Sequence, residues 1–318
     1  MIFSLTDVLS GLDADVKTGD LKKNAAGLSA RYRDKTTASG RRLMTGENDA
    51  LAYALSRMPA TYGAAERVFK QINAAFDGTE ITTFADAGAG TGAATFAAFQ
   101  TFPSLKEALC LEREPAVSGI GEKLTQKACL PARWRSFDLT KNGLSDTADL
   151  IACAYVLNEL SDADGQTALT TLWNATGRFL AIIEPATPED CRRLLKIRRS
   201  LIQKGAFIVA PCPHENDCPA GVDGWCHFSV RVARGKLHKT LKSGSAPYED
   251  EKFSYLIASK EPPKHRFSRI LRHPVTRSGC VDLTLCRPDG VIEKKTFSRR
   301  DGEKYKAAKK SNWGDGVF

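Results

Sequence analysis

The chain has 318 residues, 42% of them hydrophobic and 26% charged, with a formal net charge of +9. That is enough apolar material for one large or two modest domains with a true core, and it excludes a disordered, collagen-like or small disulfide-stapled protein. No apolar run approaches the roughly 20 residues of a bilayer-spanning helix, so no membrane contact is expected.

Asp7, Asp13 and Asp15 lie in the first turns. A secretory leader wants a basic start, and a transit peptide is poor in acids. The expectation is a cytoplasmic monomer of bacterial type.

Residues 1–78 read as an N-terminal helical region, with apolar residues at three- and four-residue intervals in LTDVLSGL, LSARYRD and NDALAYALSRM. Met58-Pro59-Ala60 is expected to break the pattern, with 62–75 as a separate helix. From residue 81 short apolar runs alternate with helical stretches. Strands are predicted at 81–86, 108–112, 133–137, 149–154 and 179–183, and helices at 92–102, 116–127 and 163–173. Such alternation implies a parallel sheet covered on both faces. Thr187-Pro188-Glu189-Asp190 has the signature of a helix start, and Gly205 of its end. Residues 206–250 read as an irregular Cys-rich insertion, and 253–258 as a strand. In 261–318, a basic C-terminal β region, Arg287-Pro288-Asp289-Gly290 predicts a hairpin between 281–285 and 291–296. A Rossmann-like domain is thus expected over 79–260.

The segment FADAGAGTGAATFAA joins the first strand to a small-residue helix. Gly88, Gly90 and Gly92 permit a tight turn and close approach of a ligand to the backbone. A dinucleotide fingerprint would read G-x-G-x-x-G, whereas here the spacing is D-x-G-x-G-x-G. Asp86 would repel a pyrophosphate but suits a cation. S-adenosylmethionine carries both a sulfonium and an ammonium, and is favoured over NAD. Glu112, 20 residues after Gly92, can accept from a ribose diol. Asp138 follows the third strand and can reach an adenine amino group. Asn158 and Glu159 follow the fourth strand, beside the expected cleft. Each alone is an ordinary loop residue or helix cap; their recurrence at successive strand ends argues for a nucleoside site. No Asn-Pro-Pro-Tyr or Asp-Pro-Pro-Tyr follows the fourth strand, so the catalytic residues stay unknown.

Nine cysteines in a chain without a leader argue for reduced thiols. Cys110 and Cys153 sit in apolar runs as core residues, and Cys129 and Cys191 have no partner spacing. In VAPCPHENDCPAGVDGWCHF the spacing is C-x5-C-x7-C, within polar Pro- and Gly-rich sequence that makes poor core. A fourth ligand is available at Cys280 or Cys286, and the turn beside Cys286 favours the latter. Cys212, Cys218, Cys226 and Cys286 suit a [4Fe–4S] cluster or zinc. The paired C-x2-C knuckles common in zinc sites are missing. A mixed zinc site with His214 or His227 stays open beside plain loop hydrogen bonding by those rings.

Charge is unevenly spread: residues 1–185 sum to −3 and residues 186–318 to +12. A basic half points to a polyanion, with RNA first, against the plainer possibility of a solvated surface. Candidate phosphate contacts are Arg192, Arg193, Lys196, Arg199, Arg231, Arg234, Lys236 and Lys239, followed by Lys242 and the tail lysines 304, 306, 309 and 310. Trp225, Phe228 and Trp313 could stack on bases, although packing explains them as well.

APCPHENDCP, WCHFSVR, YEDEKFSYL, LCRPDG and YKAAKKSNWGD, with SRMPATYGAA and the glycine loop upstream, resemble the methyltransferase-like-seventeen family of small-ribosomal-subunit assembly proteins, known from mitochondria with bacterial relatives. The similarity spans nearly the whole chain after about residue 50. It implies a class I S-adenosylmethionine-dependent methyltransferase fold, a [4Fe–4S] cluster and action on small-subunit ribosomal RNA during assembly. The family's cluster ligands fall on Cys212, Cys218, Cys226 and Cys286, and its cofactor positions on Asp86, Gly88, Gly90, Gly92 and Glu112. Two alternatives stand beside an rRNA methyltransferase: a non-catalytic rRNA-binding assembly factor, and a small-molecule methyltransferase with structural zinc.

Overall fold

The computed structural model describes residues 3–12, 18–33, 46–220, 224–242 and 246–318, with 18, 29–33, 236 and 237 described by backbone alone. The helices are α1 (Leu5–Leu9), α2 (Thr18–Arg33), α3 (Glu47–Phe76), α4 (Ala93–Thr101), α5 (Pro115–Lys127), α6 (Asp162–Ala175), α7 (Pro188–Gln203), α8 (Lys236–Leu241) and α9 (Glu303–Lys310). The first strands are β1 (Thr83–Ala87), β2 (Glu107–Glu112), β3 (Ala132–Ser136), β4 (Ala148–Ala154), β5 (Thr176–Pro185), β6 (Phe207–Ala210), β7 (Phe228–Ala233) and β8 (Tyr248–Ser259). Five more follow: β9 (Ser268–Ile270), β10 (Val275–Arg277), β11 (Cys280–Cys286), β12 (Ile292–Ser298) and β13 (Gly316–Val317). The chain divides into two compact units, one of residues 1–69, 80–183 and 230–251, the other of 70–79, 184–229 and 252–318.

In the first unit the sheet order is β3-β2-β1-β4-β5, with every neighbouring pair parallel. The order reverses between β1 and β4, which makes their carboxyl ends the switch point of a doubly wound, Rossmann-like sheet. β1 and β4 are nearly continuous apolar runs because both faces of the sheet are covered. The expected break at Pro59 does not occur: α3 runs on with Pro59 inside it. Leu55, Met58, Ala60, Ala64 and Val68 are all buried, and that packing outweighs the roughly 3 kcal/mol cost of a mid-helix proline.

In the second unit α7 begins as the sequence predicts. Thr187 Oγ1 accepts the Asp190 N–H at 3.1 Å, and Gly205 closes the helix in the left-handed region at φ 82°. Cys191, Leu194, Ile197, Arg198 and Leu201 form its buried stripe. The hairpin also forms: β11 and β12 pair antiparallel, and Gly290 N–H donates to Arg287 O at 2.9 Å. Ile270, Val281, Leu283, Leu285, Phe297, Ala308 and Val317 make the core of this second sheet.

Residues 206–250 are less irregular than expected, since they hold β6, β7, α8 and the start of β8. Their strands are short and set among Gly, Pro and Cys, which hid the β pattern. Residues 221–223 and 243–245 of that stretch lie outside the described residues, as do Asp13 and Asp15.

Candidate functional site

The glycine loop turns directly off β1. Gly88, Gly90 and Gly92 take φ values of 73°, 57° and 87°, a region where side chains are strained. Gly88 and Ala89 donate their N–H groups to Leu111 O at 2.8 and 3.0 Å. A Cβ on Gly88 would lie 2.3 Å from Val156 Cγ2, so glycine is required there by contact as well as by φ. The Gly90 N–H donates to Glu112 Oε2 at 2.8 Å, and the Glu114 N–H to Glu112 Oε1 at 2.9 Å.

Asp86 has a structural role that the sequence did not show. Gly92 is the N-cap of α4 and has no side chain to cap with. Asp86 Oδ2 takes that role from β1, accepting the Thr95 N–H at 3.0 Å and the Thr95 hydroxyl at 2.8 Å. Its carboxylate therefore acts on the loop through the helix it caps. Burial pushes Asp86 up to about 7 against those hydrogen bonds. Burial also raises Glu112, opposed by the backbone N–H groups it accepts. Glu159 is pushed up to about 7, again by burial, with Arg113 opposing. Asp86 and Glu159 thus shed their protons only near neutrality, and a bound cation would favour the charged forms of all three acids.

Asp138 is half-buried and turned onto its own loop. Its Oδ1 accepts the Thr140 N–H at 3.0 Å and the Thr140 hydroxyl at 2.7 Å. Asn158 sits in a single 3-10 turn, Leu157–Glu159, just after β4. Three residues at this end of the sheet escaped the sequence. Tyr53 of α3 is half-buried, with ring carbon Cε1 3.5 Å from where a Gly90 Cβ would be. Its hydroxyl is pushed up to about 12 by burial, against Arg57 and with Glu159, Glu112 and Asp86. Tyr155 stands in the left-handed region at φ 59° and donates its hydroxyl to Glu251 Oε1 at 2.9 Å, which also accepts Arg57 Nη2 at 3.2 Å. Tyr155 could have been suspected from its place three residues before Asn158. Nothing local marks Tyr53 or Glu251.

In the second unit Cys212, Cys218, Cys226 and Cys286 line one small pocket together with Arg269. Cys280 is not among its lining residues. Cys191 and Arg198 line an adjoining pocket shared with Cys212, Cys218 and Cys226. A hydrogen bond with Cys226 draws Cys218 down to about 6 and drives Cys226 up. Burial raises Cys212 and Cys286. Cys286 Sγ lies 3.5 Å from His214 Nε2. His227 is stacked against Trp225, with ring centres 5.2 Å apart, and meets the edge of Trp313 at 4.9 Å. Trp225 donates to Ala186 O at 3.3 Å, and Phe228 is buried against Tyr255. Among the described residues no group of three or more His, Cys, Asp or Glu stands in metal-binding geometry. The four sulfurs share a pocket rather than a finished coordination shell. Their chemistry, four soft thiol donors largely withdrawn from water, fits a cluster or zinc.

The basic candidates divide by surroundings. Arg192, Lys196 and Arg199 are exposed on α7, with Arg199 pairing Asp217 at 3.3 Å. Arg193 is held by Asp190 at 2.5 Å. Arg231 is exposed, clamped by Asp250 at 2.8 and 3.0 Å, and lies 3.8 Å over the Tyr248 ring. Arg234 does not present its charge to solvent: it packs against Glu249 at 2.8 Å, a carboxylate that Lys242 also reaches at 2.7 Å. Lys239 is half-exposed, Lys236 opens α8 and is described by backbone alone, and lysines 304, 306, 309 and 310 are exposed.

A family model described as "Mitochondrial small ribosomal subunit Rsm22" matches residues 47–317. The chain is similar to "Ribosome assembly protein METTL17, mitochondrial" of Homo sapiens, with 32% identity over 304 residues, covering 88% of this chain and 65% of that protein. It is also similar to "Rsm22-cox11 tandem protein 2, mitochondrial" of Schizosaccharomyces pombe, 23% identical over 358 residues, covering 93% of this chain and 46% of that protein. The chain thus spans less than two thirds of these relatives' own length. A solved structure of magnesium protoporphyrin IX methyltransferase from Synechocystis with bound SAM matches with 12% identity and a TM-score of 0.42, covering 76% of this chain and 97% of that one. The expectation of a bacterial-type cytoplasmic protein is corrected by these findings, because the family and both relatives are described as mitochondrial. Among the described residues no helix is long and apolar enough to cross a membrane.

Proposed function

The chain belongs to the family described as mitochondrial small ribosomal subunit Rsm22, and on that footing we propose that it is an S-adenosylmethionine-binding protein acting on small-subunit ribosomal RNA during ribosome assembly. The observation that carries the cofactor assignment is the bond from Gly90 N–H to Glu112 Oε2. It sets an acid at the end of β2 against a glycine-rich loop at the switch point, where a ribose and a methionine moiety can lie against backbone. Gly88, Gly90 and Gly92 supply that floor, Glu112 the ribose acceptor, and Asn158 a polar group at the end of β4. Asp138 keeps Oδ1 on Thr140 and offers Oδ2, 3.3 Å from Lys141 Nζ, to an adenine amino group. Asp86 supports the loop by capping α4. The net positive charge of the ligand suits Asp86, Glu112 and Glu159, three acids that burial makes reluctant to ionise alone.

Cys212, Cys218, Cys226 and Cys286 hold a [4Fe–4S] cluster in this proposal, with zinc as the alternative occupant. When bound, the cluster supplies a rigid cross-link between the 212–226 loop and β11. Arg192, Lys196, Arg199, Arg231 and Lys239 make phosphate contacts, which position RNA without reading its sequence. The chain acts as a monomer.

One observation favours a second reading, an assembly factor that binds the cofactor and the RNA without transferring a methyl group. At the end of β4, where an acceptor would lie, Tyr155 and Arg57 are both committed to Glu251, and the chain has no Asn-Pro-Pro-Tyr there. Replacing Gly90 by Phe fills the cofactor floor and separates the two. Loss of cofactor binding together with loss of rRNA methylation supports the enzyme. Intact subunit assembly without cofactor binding supports the factor, and methylation that survives loss of cofactor binding excludes the enzyme.

A further inference from the structure

Two arginines in the second unit are buried without an acid. Arg198 is 5% exposed and Arg269 4% exposed. Arg198 Nη2 donates to His214 O at 2.6 Å and to Asn216 O at 2.9 Å. Arg269 Nε donates to Pro211 O at 3.1 Å, and its Nη1 to Gly314 O at 2.8 Å and to the amide oxygen of Gln71. Every one of these oxygen acceptors is neutral. Among the described residues neither guanidinium has a carboxylate ion-pair partner, and Glu215, which lies close by, is taken by Arg266 at 2.8 Å. A buried cation without a counter-ion is costly in a folded protein. Both side chains border the thiols: Arg269 lines the pocket of Cys212, Cys218, Cys226 and Cys286, and Arg198 lines the adjoining one with Cys212, Cys218 and Cys226.

We propose that Arg198 and Arg269 are the built-in counter-charges of a dianionic four-thiolate centre. Four thiolates around a [4Fe–4S]2+ core carry a net charge of two minus, as do four thiolates around Zn2+. Two guanidinium ions balance either. The proposal rests on the assignment of Cys212, Cys218, Cys226 and Cys286 as ligands and goes beyond it by naming the charges that balance the loaded centre. Loading with metal brings a dianion beside both guanidinium groups, so it should stabilise this unit beyond the ligand bonds themselves.

The test uses the full chain with Arg198→Gln, Arg269→Gln and Arg198→Lys. Glutamine keeps N–H donors for the carbonyl oxygens and removes the charge, whereas lysine keeps the charge. Zinc affinity is measured by chelator competition, cluster half-life in air by absorption, and melting temperature with and without metal. Each glutamine variant should lose about 10- to 100-fold in zinc affinity and shorten cluster lifetime. Its metal-free form should melt at or above the metal-free wild type. Arg198→Lys should retain most of the affinity. If one glutamine variant does not fold, the other decides. Unchanged metal affinity with equal losses of melting temperature in both forms would overturn the proposal and leave the arginines as braces for carbonyl groups. A wild-type chain that takes up neither iron nor zinc would overturn the ligand assignment itself, and the counter-charge role with it.

Discussion

Glu112 and Gly90 are joined by a 2.8 Å hydrogen bond from the loop N–H to the carboxylate, which ties the end of β2 to the turn after β1. The other oxygen of Glu112 takes the Glu114 N–H at 2.9 Å. Removing the carboxylate with Glu112→Ala frees the loop and removes the acceptor proposed for the ribose. Hydrogen bonds to charged groups contribute about 1.5–3 kcal/mol, so affinity for S-adenosylmethionine by titration calorimetry should fall at least about tenfold. Glu112→Gln, which can still accept, should lose less. Equal affinity in all three proteins would remove Glu112 from the site.

Asp86 gives the fold a pH dependence of definite sign. Its carboxyl is pushed up to about 7 by burial from an ordinary 3.8. Between those values the folded chain holds a proton that the unfolded chain has released, so this group's contribution makes stability fall as pH rises from about 4 to about 7 and level off above. The total is at most about 4 kcal/mol. Thr95, Glu112, Tyr53 and Cys110 face this carboxyl and do not change in Asp86→Asn. The variant should therefore show a flatter urea midpoint between pH 5 and 7.5 than the wild type. Parallel curves would refute the shift.

Gly88 and Val156 fit together only because one has no side chain. Gly88→Ala places a methyl 2.3 Å from Val156 Cγ2 at a φ of 73°. Overpacking of this kind costs about 1–3 kcal/mol. Adding Val156→Ala removes the clash but leaves the backbone strain, so the double variant should recover part of the loss. A denaturation double-mutant cycle measures the coupling, and a coupling of zero would contradict the contact.

The exposed face of α7 should bind RNA through phosphate. Reversing Arg192, Lys196 and Arg199 to Glu should weaken binding of a small-subunit RNA fragment and reduce the salt slope by about one for each phosphate no longer held. Arg193→Gln serves as the control, because Asp190 already holds Arg193, and it should bind almost as the wild type does. An unchanged salt slope in the triple variant would remove α7 from the interface.

Most of the parallel strands were legible because β1, β2, β4 and β5 each contain a short apolar run between helical stretches, and the cap at Thr187 was legible because Thr-Pro-Glu-Asp states its chemistry locally. Pro59 was misleading, since a proline signals a break while tertiary packing decides whether the break occurs. Asp86 was identified as a site residue from the acid in the turn, and only the fold shows that it also caps α4 through Thr95. Arg198 and Arg199 look alike in the sequence. Position 198 falls on the stripe of Cys191, Leu194 and Leu201, so helical geometry turns it inward, a signal that the three- and four-residue spacing of these positions already contains. Tyr53 and Glu251 had none, because each meets its site only through long-range packing.

Anaerobic purification followed by iron, acid-labile sulfide and zinc analysis tests the four-thiol centre most directly. A coloured protein with about four iron and four sulfide per chain, lost together when any one of Cys212, Cys218, Cys226 or Cys286 is changed to Ser but retained in Cys280→Ser, is the expected result. A colourless chain without iron, or iron that survives those four substitutions, would contradict the assignment.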